Sequence, residues 1–157
     1  PEAEGVLTDI SSAALDQAHF NAERHDVLGR LTLLDGDLCA PLAGNFDLIV
    51  SNPPYIASHV IEGLDDAVKG HDPMLALDGG ADGLDVYRRL VAQAPAQLAQ
   101  DGLLIVEIGF DQAEAVKQLL DASSALKFVA LVHDLGANPR VVVAQNVGGF
   151  ANSANMV

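Results

Sequence analysis

Hydrophobic residues along this chain follow two rhythms. Short continuous runs read as buried strands, and longer stretches with apolar positions three or four apart read as helices. Gly5 to Thr8 is a short run that stops at Asp9. Ser11 or Ser12 can then cap a helix that carries Ala14, Leu15 and Ala18 at helical spacing and ends near Arg24 to Asp26. Leu31 to Leu34 reads as a second strand, stopped by Asp35-Gly36-Asp37. Phe46 to Val50 reads as a third, and Ser51-Asn52-Pro53-Pro54 must end it, because proline lacks the N–H that a central strand needs. Residues 56 to 82 have no regular pattern, and stretches of that length are usually functional or mobile. An amphipathic helix is predicted over Leu84 to Gln100, then a strand apolar on both faces over Leu103 to Ile108. A helix capped by Asp111 is predicted to run to about Asp121. Phe128 to Val132 and Val141 to Ala144 read as two late strands joined by the turn-rich Asp134 to Pro139. The pattern then fades, and residues 147–157 are expected to form a disordered tail.

Strands that alternate with helices and are apolar on both faces predict an α/β fold with a mostly parallel sheet. The short connection between the last two strands predicts one antiparallel edge pair. In open sheets of this kind, ligands bind beyond the carboxyl ends of the strands. Asp9, Asp35, Asp37, Asn52 and Glu107 all fall at or near such ends. Glu107 can either approach a substrate there or simply close its strand.

Composition narrows the classes. The 157 residues fit one domain, and half of them are hydrophobic, enough for a sizeable core. Eight Lys and Arg stand against 22 Asp and Glu, a net charge of −14. A surface that grips nucleic-acid phosphates needs clustered cations, so nucleic acid is not the expected partner. With Cys39 as the one cysteine, no internal disulfide can form. No apolar run is long enough to span a membrane, and the cytoplasm is the expected location. The five histidines show no metal-ligand spacing with Cys39, so no metal is expected. Gly79-Gly80-Ala81-Asp82-Gly83 imitates a phosphate loop, but it does not follow a strand with dinucleotide-binding spacing.

The candidate chemistry lies in Asn52-Pro53-Pro54-Tyr55. A planar amide or aromatic amine delocalises its nitrogen lone pair and is a poor nucleophile. A site assists by accepting hydrogen bonds from both N–H groups, which aims the nitrogen and disfavours the planar resonance form. The Asn52 side-chain oxygen and the Pro53 carbonyl can form that acceptor pair, and Tyr55 can stack on the planar group. The prolines stiffen the turn, so little entropy is lost on binding. The plainer alternative is a strand-ending Asn-Pro turn.

The run Phe46-Asp47-Leu48-Ile49-Val50-Ser51-Asn52-Pro53-Pro54-Tyr55-Ile56 resembles the signature of amino-methyltransferases with the seven-stranded methyltransferase fold. A second run spans Leu75-Ala76-Leu77-Asp78-Gly79-Gly80-Ala81-Asp82-Gly83-Leu84-Asp85-Val86-Tyr87-Arg88-Arg89-Leu90. Together they resemble the HemK/PrmC family, protein-(glutamine-N5) methyltransferases acting on peptide chain release factors. The resemblance covers residues 1–146 and implies that they form the catalytic domain. It implies a class I, Rossmann-like sheet dependent on S-adenosylmethionine, incomplete here at its N-terminal end, and a release factor as protein partner. It implies Asn52, Pro53 and Tyr55 as catalytic residues, and substrate binding by these together with Pro54. Donor binding would fall to Asp9, Ile10, Asp37, Leu38 and Asn52. Asp9 matches the acidic residue that accepts from the ribose hydroxyls, and a helix-capping Asp is its plainer role. Asp37 matches the residue near the adenine amino group, with Leu38 beside the ring. Asn21 and Glu23 match the family but are expected to serve as helix surface or packing.

The family's glycine-rich donor loop, its central first strand and its helical recognition domain would lie upstream of Pro1. A sheet without that strand is expected to leave two open edges and an apolar gap. Without the loop, the 157-residue chain is expected to bind donor weakly or not at all. His71-Asp72-Pro73-Met74 stands where the family more often has Glu-Pro, and Gly136 to Arg140 also varies from its usual turn. Two other readings stay open: an amino-adenine nucleic-acid methyltransferase, and a catalytically inactive truncated fragment.

Overall fold

A computed structural model describes residues 2–61, 63 and 73–148. Residue 62 and residues 64–72 of the unpatterned 56–82 stretch, including His71 and Asp72, and residues 149–157 of the expected tail lie outside the described residues. The chain divides into two compact units, Pro1–Gly44 and Asn45–Val157.

The first unit holds β1 (Gly5–Asp9), α1 (Ser12–Arg24) and β2 (Leu31–Asp35). The strands pair in parallel, Gly5 opposite Leu31 and Asp9 opposite Asp35. Ser11 rather than Ser12 caps α1, and its side chain accepts from the Ala14 N–H at 3.3 Å. The helix stops at Arg24, and Asp26 then takes a positive φ of 55° that turns the chain out of the helix.

The second unit holds β3 (Phe46–Ser51), α2 (Ser58–Ile61), α3 (Met74–Leu77), α4 (Asp85–Gln93), β4 (Leu98–Glu107), α5 (Ala113–Asp121), β5 (Leu126–His133) and β6 (Pro139–Asn146). Its sheet runs β3-β4-β6-β5. β3 and β4 are parallel, while β6 lies antiparallel to both β4 and β5. Tyr87 and Leu90 of α4 and Val116 and Leu120 of α5 are buried with Leu104, Val106, Val142 and Ala144 of the sheet. This core follows the predicted apolar faces.

Two predicted helix ends move. The helix expected over Leu84 to Gln100 ends at Gln93, passes through a short 3-10 turn at Ala94–Ala96, and gives way to β4 at Leu98. Pro95 is the cause, since its ring and missing N–H cannot continue the helix. The buried Asn146 side chain then donates to the carbonyls of Pro95, Leu98 and Ala99 at 3.0–3.4 Å, tying this turn and the start of β4 to the end of β6. Gln112, not Asp111, stands at the N-cap of α5, and its side chain makes no capping bond. At the other end, Val147 and Gly148 donate backbone hydrogen bonds to the Ala125 carbonyl.

Each of β1 and β3 pairs on one side only among the described residues. On β3, Leu48 and Val50 are 49% and 66% exposed, apolar side chains on a strand with an open edge. The incomplete sheet expected from the sequence takes this form. No helix among the described residues is long and apolar enough to cross a membrane.

Candidate active site

β3 and β4 end side by side, with Ser51 opposite Val106, so Asn52 and Glu107 share one edge of their sheet. Asn52 is exposed, Pro53 is buried, and Pro54 and Tyr55 are half-buried. Residues 52–56, with Ala76 and Leu77, line a cavity of about 350 Å³. The loop runs beside residues 77–80 as a short strand-like pair. Ile56 N–H donates to the Leu77 carbonyl at 3.0 Å, Gly79 N–H to Ile56 at 2.9 Å, and Ser58 N–H to Gly80 at 2.9 Å. Asp78 locks this pair, accepting from the Ser58 hydroxyl at 2.7 Å and the Gly80 N–H at 2.9 Å. Those bonds, the Ser58 bond first, hold its carboxyl below the usual range.

The glycine-rich run packs against this loop. A Cβ on Gly79 would stand 2.8 Å from the Tyr55 Cα, and one on Gly83 would stand 2.5 Å from the Tyr55 carbonyl oxygen. Gly83 also has a φ of +74°. Here glycine serves close backbone approach. Beyond it, Asp82 and Asp85 bind Arg88, and the Arg88 guanidinium pulls the Asp82 carboxyl down to about 2.

Beneath the loop lies Gln112, which the sequence reading did not single out. Its Nε2 donates to the Tyr55 carbonyl at 2.9 Å and to the Gly83 carbonyl at 3.2 Å. Its Oε1 accepts from the Gly109 N–H at 3.0 Å and lies 3.3 Å from the Tyr87 hydroxyl. That hydroxyl also donates to the Glu107 carbonyl at 3.0 Å, and burial pushes the phenol well above its ordinary range. The available signal was position: a glutamine just past a buried strand's carboxyl end, at the start of a helix it does not need to cap.

In the first unit, Asp9 ends β1 with Oδ1 accepting from the Ser11 N–H at 2.8 Å. Its carbonyl accepts from the Gly36 N–H, and the Thr8 hydroxyl donates to the Leu38 carbonyl at 2.8 Å. These bonds bring Asp9 and Ile10 beside the turn carrying Asp37 and Leu38. Leu38 holds a φ of 52°, and Ile10 is 51% exposed. The candidate donor-binding residues therefore gather at one strand edge of this unit, apart from Asn52, which belongs to the second unit. Among the described residues, no group of His, Cys, Asp and Glu is placed to hold a metal ion.

The release factor glutamine methyltransferase of Caulobacter vibrioides is 46% identical over 144 residues, covering 91% of this chain and 50% of the relative. That of Agrobacterium fabrum is 43% identical over 141 residues, covering 90% and 48%. Over about nine-tenths of its length the chain is similar to this family. A family model described as the methyltransferase small domain matches residues 1–68. The crystal structure of TrmN from Thermus thermophilus superposes on 93% of this chain and 37% of its own, with a TM-score of 0.64 and 19% identity. At that identity the likeness establishes the fold, that of class I S-adenosylmethionine-dependent methyltransferases. The chain spans about half the length of the curated relatives it matches.

Proposed function

We propose that residues 1–146 form the catalytic domain of an enzyme that methylates the side-chain amide of a glutamine in a peptide chain release factor, in the cytoplasm. The observation that carries this reading is the Asn52–Tyr55 loop, set at a strand's carboxyl end against a cavity and fixed by Asp78 and Gln112. Bound S-adenosylmethionine supplies the electrophilic methyl group on its sulfonium. Asp9 fits the ribose diol, since among the described residues only Oδ1 is engaged and the exposed carboxylate keeps acceptor capacity. Ile10 and Leu38 offer apolar contact to the adenine, and Asp37 an acceptor for its amino group.

On the substrate side, the Asn52 Oδ1 and the Pro53 carbonyl accept from the two N–H groups of the glutamine amide. That pair aims the nitrogen and weakens its conjugation, so the lone pair becomes available for attack. Tyr55 stacks on the amide plane, and the fixed φ of Pro53 and Pro54 preserves the geometry. The proton released after transfer passes to water. A net charge of −14 favours a protein partner over a phosphate backbone.

The test is methyl transfer by the native protein, with a release factor and adenine-containing DNA offered side by side. Label on a glutamine of the release factor is expected. Label on the DNA, or on neither, would overturn the reading.

A further inference from the structure

The geometry points to Gln112 as a positioning residue: its carboxamide, backed by Tyr87, clamps the Tyr55 carbonyl and holds the Asn52-Pro53-Pro54-Tyr55 loop in the shape that presents its two acceptors. The inference rests on the glutamine-methyltransferase reading and adds to it a residue that need not touch the substrate.

A carboxamide has two donor hydrogens and two acceptor lone pairs, and Gln112 engages both donors and at least one of its acceptor sites. Both donors go to carbonyls distant in sequence, Tyr55 at 2.9 Å and Gly83 at 3.2 Å. The acceptor side takes the Gly109 N–H at 3.0 Å and meets the Tyr87 hydroxyl at 3.3 Å. One side chain thus joins the site loop, the glycine-rich turn, the end of β4 and the buried face of α4. Tyr87 is 1% exposed and so gives the clamp a rigid back wall.

Fixing one carbonyl is enough to matter here. The rings of Pro53 and Pro54 already lock two φ angles, so few torsions decide where the Pro53 carbonyl and the Tyr55 ring point. Anchoring the Tyr55 carbonyl on one side and Ile56 on residues 77 and 79 on the other removes much of what remains. A residue needed only to start α5 would turn its side chain to that helix's own first N–H groups, and Gln112 does not.

Gln112→Glu isolates the claim. It keeps the size and the acceptor oxygens but, when ionised, removes both donors and sets a carboxylate against two carbonyls. In the native protein, kcat for release-factor methylation should fall about tenfold or more, because small misplacements of a reacting group are costly. The KM for S-adenosylmethionine should stay within about twofold of the parent. Relative to the parent, activity should recover partly as pH falls and the glutamate regains one donor hydrogen. Amide exchange at Ile56, Ser58 and Gly79 should quicken, while the β4–β6 core exchanges as in the parent. An unchanged kcat would overturn the inference. So would core exchange that quickens as much as the loop's, which would make Gln112 a general stabiliser. If the parent methylates no release factor, the functional reading fails, and the exchange comparison alone decides the clamp.

Discussion

Asn52 follows the last paired residue of β3, and Pro53 and Pro54 then prevent the strand from continuing. This part of the candidate site was legible in the sequence because its proposed chemistry is local: an acceptor amide, two stiff residues and an aromatic ring in succession. Gln112 was not, because its role depends on carbonyls 57 and 29 residues away in the chain. The glycines at 79 and 83 were legible as unusual but not as packing residues, since their crowding comes from Tyr55. That crowding makes Gly83→Ala a sharp probe. A side chain there meets both a positive φ and the Tyr55 carbonyl, so the substitution should cost about 1–3 kcal/mol. Urea unfolding of the two proteins measures it, and coincident midpoints would mean that the turn relaxes freely.

Among the elements, the strands were the most legible, because uninterrupted apolar runs between Asp, Gly and Pro leave little choice. The junction after α4 was misread, since the apolar spacing through residues 94–100 suits a helix while Pro95 forbids one. Asn146, which stabilises that junction from the far end of the sheet, carries no local signal. The acidic residues around α4 give a pH prediction. Asp82 has a folded value of about 2 against an unfolded one of about 3.9, and Asp78 is also lowered. Their contribution is therefore fully present above pH 4 or so and is lost as pH falls toward the folded values. Melting temperature should drop over that window, and in Arg88→Ala the Asp82 carboxyl should titrate closer to the unfolded value. Asp82 titrating unchanged in the variant, followed by NMR, would show that Arg88 is not the cause.

In the molecule as a whole, the α/β class and the strand order along the chain were readable from alternation. The division into a two-stranded and a four-stranded sheet follows from pairing and could be anticipated only through the family resemblance. The open edge of β3, with Leu48 and Val50 exposed, has a physical consequence for the 157-residue chain. Sedimentation should reveal association that grows with concentration, and Val50→Lys should reduce it by placing a charge on the exposed strand. Equal association by both chains would move the sticky surface elsewhere.

The central claim is that the Asn52 loop orients a glutamine amide for methylation. Mass spectrometry of a release factor, after incubation with S-adenosylmethionine and either the native protein or its Asn52→Ala form, tests it most directly. The account predicts one methyl group on a glutamine side chain. It also predicts that the variant is slower by roughly a hundredfold or more, as when a transition-state hydrogen bond is removed, with donor binding preserved. A variant within about twofold of the parent rate, or a methyl group on any other residue type, would contradict it.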